Sequence, residues 1–194
     1  CSQSRGLGDV YKRQVLDIGC SDGELISYLE SKGVSAQGVE LNQEKVIKCL
    51  EKGLDVIHGD INLIVEDFPF NQFDYCLLTQ TIQAVQKPDQ LLNTLKKVSK
   101  NIIVSFNNSA RLSKISNFLL SGSFDSLLKK ADSDHWYNTD YIHPCSIKDF
   151  KKLAENLDLK IISTFDVINQ RKFENGKIPS NLFCKEVLFH ITDE

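Results

Sequence analysis

The 194 residues contain no methionine, no Cys-x-x-Cys pair, and no apolar run near the roughly 20 residues a membrane-spanning helix needs. Without methionine the natural start is missing, so an amino-terminal truncation is expected. No secretory signal is visible, and no repeat or low-complexity tract. The six cysteines (Cys1, Cys20, Cys49, Cys76, Cys145 and Cys184) are scattered and read as reduced thiols of a cytoplasmic protein. Cysteine and histidine show no zinc-ligand spacing, so no metal is expected. Basic excess is also lacking. The net charge is −3 and the pI about 5.8, which leaves no footprint for nucleic acid or a membrane surface.

What is present suits one soluble domain with a sizeable core: 41% hydrophobic and 25% charged residues. Residues 1–14 show neither helical nor strand period and run into the first apolar strand without a turn signal. They are expected to be a cloning or assembly scar, or a disordered leader, and are set aside. The remaining 20 basic and 25 acidic residues give the domain at 15–194 a charge of −5.

Strand and helix patterns alternate from Val15 onward. Strands are expected at 15–18, 36–40, 55–58, 73–78 and 101–106, and helices at 24–32, 43–52 and 88–100. In the second helix the apolar positions are Val46, Ile47 and Leu50. Asn42 and Ser146 suit helix caps. This alternation predicts an α/β fold, a doubly wound and mostly parallel sheet with right-handed crossovers. After a helix at 147–156, long strands at 159–167 and 182–192 have no helix between them, which predicts an antiparallel edge hairpin and seven strands in all. Residues 107–145, rich in Asn, Ser and Asp with a helical patch at 112–120, are expected to lie over the carboxyl ends of the strands, where such sheets bind ligands.

The chemistry concentrates in Val15-Leu16-Asp17-Ile18-Gly19-Cys20-Ser21-Asp22-Gly23, a strand, a glycine turn and a helix start. A dinucleotide turn would carry a third glycine, but Glu24 follows Gly23 here, and Asp17 stands where such folds usually carry an apolar residue. Both disfavour a dinucleotide oxidoreductase. The Asp-x-Gly-x-x-x-Gly pattern resembles instead motif I of class I S-adenosylmethionine-dependent methyltransferases, with Ser21 in place of the middle glycine. Gly19 frees the backbone from a Cβ, the amides of the turn and the helix start can receive a carboxylate, and a buried Asp17 can pair with an ammonium group. Glu40, 23 residues after Asp17 at the next strand end, can accept two ribose hydroxyls. The resemblance places an adenine-amino contact at Asp60 with Ile61 as apolar flank, and puts Thr79 and Gln80 toward the methionine moiety. The expected binding set is Asp17, Gly19, Cys20, Ser21, Gly23, Glu40, Leu41, Asp60, Ile61, Thr79 and Gln80. Each feature has a plainer use as a tight turn, a solvated strand-end acid or a polar loop start. Three acids and a glycine turn at successive strand ends are more specific together.

Further segments sharpen the likeness: GLDVIHGD at 53–60, FDYCLLTQTIQAV at 73–85, IVSFN at 103–107, Trp136-Tyr137 with Ile142-His143, and CSIKDF at 145–150. Over about residues 15–168 the chain resembles the methionine biosynthesis protein MetW family. That resemblance implies a methyltransferase fold binding S-adenosylmethionine or S-adenosylhomocysteine, and homoserine O-acyltransferase as partner. Asn107-Asn108 departs from the usual proline-bearing turn. No amino-methylation motif of the Asp/Asn-Pro-Pro-Tyr/Phe kind and no nucleophile elbow is present. His143 and Tyr137 are the candidates for a catalytic base, with His135 a further one nearby. Two functions stay open: a non-catalytic cofactor sensor acting on the acyltransferase, or a methyltransferase for a small-molecule acceptor.

Overall fold

The computed structural model describes residues 13–124, 142–174 and 176–193. Its elements are β1 (Gln14–Ile18), α1 (Glu24–Ser31), β2 (Ser35–Glu40), α2 (Gln43–Glu51), β3 (Val56–His58), the short α3 (Ile61–Ile64), β4 (Phe73–Thr79), α4 (Pro88–Val98) and β5 (Ser99–Asn107). There follow α5 (Leu112–Ser121), α6 (Ile147–Asn156), β6 (Lys160–Asp166), β7 (Arg171–Glu174) and β8 (Glu186–Thr192).

One sheet runs in the order β3-β2-β1-β4-β5-β8-β6-β7. The first five are parallel, and β8 inserts antiparallel between β5 and β6. The chain winds outward from β1 through β2 to β3, then returns to start the other half at β4. The order therefore reverses between β1 and β4, which opens a crevice at their carboxyl ends.

Alternation along each strand sorts side chains to the two faces. Leu16, Ile18, Cys76, Leu78, Ile102 and Val104 face α4 and α6, in one buried cluster. Val15, Leu77 and Ala36 join Ile26 of α1 and Cys49 of α2 in a second. On the first face, Phe106, Phe150 and Phe189 pack with ring centroids 4.6 to 5.9 Å apart, fixing α6 over β5 and β8. Ser146 starts α6 with a capping box: its hydroxyl accepts from the Asp149 amide while the Asp149 carboxylate accepts from the Ser146 amide.

The α/β class, the parallel sheet and its antiparallel edge are as the patterns predict. The strand count is eight rather than seven. The extra strand, Arg-Lys-Phe-Glu at β7, has no apolar alternation and forms through backbone pairing to β6, with its charges on an exposed edge. β8 begins at Glu186, four residues later than the apolar pattern begins. Buried Asn108 explains the delay, because its side-chain amide donates to the carbonyls of Asn181 (2.6 Å) and Cys184 (2.9 Å). In α2 the buried residues are Val46 and Cys49, while Ile47 and Leu50 are exposed. The Cys49 sulfur lies against Gly23, where an added Cβ would meet it at 3.0 Å.

Candidate functional site

Asp17, the last residue but one of β1, has 1% of its surface exposed. Burial pushes its carboxyl up to about 6, opposed by a hydrogen bond from Thr79 Oγ1 (3.3 Å) and reinforced by the nearby Glu40 charge. The chain then turns sharply. Gly19 has φ +73°, Ser21 +53° and Gly23 +77°. The amides of Gly19 and Cys20 both donate to the Val39 carbonyl, at 2.8 and 3.2 Å, so the turn is tied to β2. Gly23 caps α1 without a side-chain acceptor. Cys20 is buried in the second core cluster, and burial drives its thiol pKa upward.

Glu40 ends β2 at 8% exposure. Its Oε2 accepts from the Ser21 amide and its Oε1 from the Asn42 amide, both at 2.8 Å. These two bonds hold the carboxylate beside the glycine turn, and a carboxylate oxygen can accept a second bond. Leu41 is exposed, and its carbonyl lies 3.0 Å from His58 Nε2. Asp60 caps α3, with Oδ1 accepting from the Asn62 amide (2.9 Å) and Asn62 Nδ2 (2.6 Å). Ile61 is buried in the main core.

The strand ends of β1, β2 and β4 thus bring Asp17, Gly19, Ser21, Glu40 and Thr79 together, and β3 delivers Asp60 at the neighbouring edge. Gln80 follows Thr79 with φ +58°, unusual for a residue with a side chain. Its amide is gripped from both sides: Nε2 donates to Glu186 Oε1 (2.7 Å) and Oε1 accepts from Asn107 Nδ2 (2.9 Å).

His143 does not enter this group as a poised base. Its exposed ring lies 3.1 Å from the Gln86 carbonyl, and its amide donates to the Gln83 carbonyl. Tyr137 and His135 lie outside the described residues, as does Trp136.

Sequence reasoning missed four contributors. Thr81 fills the space beside the Gly19 α-carbon, and its hydroxyl is shared between the carbonyls of Ile18 (2.9 Å) and Thr79 (3.0 Å). Gly38 lets the Cys20 sulfur and Ile26 approach, since a Cβ there would lie 2.6 Å from each. An isolated glycine inside a strand pattern is a legible sign of such an approach. Asn107 and Glu186 reach Gln80 from 27 and 106 residues away, separations that carry no local signal.

Fold and strand-end geometry define the class I methyltransferase architecture. A structure of an S-adenosylmethionine-dependent methyltransferase from Archaeoglobus fulgidus superposes with a TM-score of 0.63 at 17% identity, over 94% of this chain and 86% of that one. The plantazolicin methyltransferase BamL, solved with S-adenosylhomocysteine and a triazolic desmethylPZN analog, gives 0.66 at 13%, over 93% and 77%. The family model described as Methionine biosynthesis protein MetW matches residues 11–191, and the chain belongs to that family. It is 29% identical over 188 residues to the bifunctional methionine biosynthesis protein MetXA/MetW of Rhodopirellula baltica. That match covers 91% of this chain but only 30% of the relative's length.

Proposed function

We propose that this chain binds S-adenosylmethionine or S-adenosylhomocysteine in the cytoplasm and serves methionine biosynthesis beside a homoserine O-acyltransferase. The observation carrying this reading is the meeting of Asp17, Glu40 and the left-handed Gly19–Gly23 turn at the crevice, with Asp60 at the next strand end. Their chemistry fits the cofactor. Glu40, already oriented by two amides, has remaining lone pairs for ribose hydroxyls. Asp17, desolvated and without a cationic partner among the described residues, gains a counter-charge from an ammonium group. The open amides at the α1 start suit the amino-acid carboxylate. Asp60 offers the oxygen not used in capping to the adenine amine, and Thr79 and Gln80 flank the sulfur end. S-adenosylmethionine, when bound, supplies an electrophilic methyl group on a sulfonium.

The chain's own residues favour sensing over turnover, because the one described base candidate, His143, is tied at the surface to Gln86. A sensor requires cofactor affinity to differ between the free and acyltransferase-bound forms. Calorimetry with both cofactor forms, with and without the acyltransferase, tests this, and unchanged affinity on adding the partner excludes it. The second reading, a small-molecule methyltransferase, draws on the Gln80, Asn107 and Glu186 cluster, whose polar groups sit where an acceptor would approach. Methyl transfer to a small amine or alcohol without the partner would establish it.

A further inference from the structure

A row of polar side chains crosses one face of the sheet at the carboxyl ends of its parallel strands. Asp17 and Thr79 stand on the face opposite Leu16, Ile18 and Leu78, and Thr79 Oγ1 donates to Asp17 Oδ1 (3.3 Å). Asn107 and Glu186 lie directly across from each other in the register of β5 and β8, on that same face. Gln80, one residue beyond Thr79, ties the row together: its Nε2 donates to Glu186 Oε1 (2.7 Å) and its Oε1 accepts from Asn107 Nδ2 (2.9 Å). The Gln80 backbone is fixed as well, since its amide donates to the Ser105 carbonyl (3.0 Å). Glu186 is therefore held beside the crevice by a neutral partner. It is partly buried, and no lysine or arginine among the described residues forms an ion pair with it.

S-adenosylmethionine and S-adenosylhomocysteine share an ammonium, a carboxylate, a ribose and an adenine. Only the sulfonium, with its methyl group and positive charge, separates them. In the proposed binding mode Asp17 meets the ammonium, Glu40 the ribose and Asp60 the adenine amine, all of them common to both forms. Glu186 is the acid of this crevice left without a match among the shared groups. We infer that Glu186 is the specificity-determining residue by which the crevice tells S-adenosylmethionine from S-adenosylhomocysteine, an inference that rests on the cofactor reading above. Its carboxylate favours the sulfonium form and leaves the neutral thioether nearly unaffected. A partly buried charge is screened less than one in bulk water, so it acts without touching the sulfur. Gln80 and Asn107 are positioning residues, because their bonded amides keep the carboxylate in place. The device suits a sensor of methyl-donor supply, which can respond only through differential affinity for the two forms. It is equally compatible with turnover, where the demethylated product has to leave.

The test is calorimetry of both forms at pH 7.5 on the full chain, its Glu186→Gln variant and its Glu186→Asp variant, with melting temperature as the check on folding. Glu186→Gln keeps the size and an acceptor oxygen for Gln80 but removes the charge. The ratio of S-adenosylmethionine to S-adenosylhomocysteine affinity is expected to fall about threefold to tenfold, through loss of the sulfonium form alone. Glu186→Asp keeps the charge and is expected to hold the wild-type ratio within about twofold. In the wild-type chain, raising salt from about 20 mM to about 300 mM is expected to weaken S-adenosylmethionine more than S-adenosylhomocysteine, a comparison that needs no variant. An unchanged ratio in Glu186→Gln overturns the inference and leaves the cofactor reading intact. Equal weakening of both forms assigns Glu186 to holding the crevice in shape and also overturns it. So does an equal salt dependence of the two forms, or a Glu186→Asp ratio as low as that of Glu186→Gln, which would trace the effect to the hydrogen bond. If Glu186→Gln does not fold, the salt comparison and Glu186→Asp decide. Binding of neither form by the wild-type chain overturns the cofactor reading and this inference with it.

Discussion

The side chain of Thr81 occupies the position that a Cβ on Gly19 would take: such an atom would lie 2.6 Å from Thr81 Oγ1 and 2.9 Å from Cγ2. The glycine turn of the crevice and the loop after β4 are therefore packed against each other, and neither can shift alone. Gly19 also has φ +73°, so an alanine there is strained as well as crowded.

Gly19→Ala is accordingly expected to destabilise the protein by about 2–4 kcal/mol, combining left-handed strain with the clash. Gly19→Ala/Thr81→Ala, which removes both Oγ1 and Cγ2, is expected to lose less than the sum of the two single variants while keeping the strain. Urea unfolding of the single and double variants measures both terms. Additive losses would show that the two residues do not press on each other.

The buried Asp17 makes stability depend on pH in the reverse of the usual carboxylate sense. Its folded value, about 6, lies above the ordinary 3.8, so the folded state holds the proton more tightly than the unfolded chain. Its contribution is greatest below about pH 4, declines as pH rises through about 6, and is gone above that. Asp17→Asn is expected to stabilise the ligand-free protein at pH 7.5 by about 1–3 kcal/mol and to flatten this slope. Thermal melts across pH 4 to 8 provide the check, and a less stable Asn variant at pH 7.5 would contradict it.

Ligand binding should follow the same proton. An ammonium beside Asp17 favours the carboxylate, so affinity for S-adenosylhomocysteine is expected to fall roughly tenfold per pH unit below about 6. Calorimetry in buffers of different ionisation enthalpy would detect the released proton. In Asp17→Asn, affinity should be lower and this pH dependence absent.

Gln83 is 2% exposed, and its side-chain Oε1 has no hydrogen-bond partner among the described residues. A buried acceptor without a donor is costly, whereas an apolar group of the same size is not. Gln83→Leu is therefore expected to leave the melting temperature unchanged or raise it by a few degrees. A fall equivalent to more than about 1 kcal/mol would show that the oxygen has a partner in solution.

The parallel half of the sheet was legible because its strands are short apolar runs punctuated by helices with clear stops, and the cap at Ser146 was readable from its residue type. Asp17, Glu40 and Asp60 were legible at their strand ends because each interrupts or closes an apolar run. β7 was not, because backbone pairing rather than side-chain pattern makes it a strand. The start of β8 was obscured by Asn108, which holds an apolar stretch in a loop from more than 70 residues away. The role of Thr81 was hidden for the same reason, since its partner, the Ile18 carbonyl, is 63 residues distant.

The most direct measurement is calorimetric titration of the chain and its Glu40→Ala variant with S-adenosylmethionine and S-adenosylhomocysteine at pH 7.5. Glu40 is fixed by the amides of Ser21 and Asn42, so it is already in place for a ribose. The expected result is binding of at least one form by the wild-type chain, weakened at least tenfold in the variant through loss of charged hydrogen bonds. No binding of either form, or equal affinity in the variant, would contradict the account.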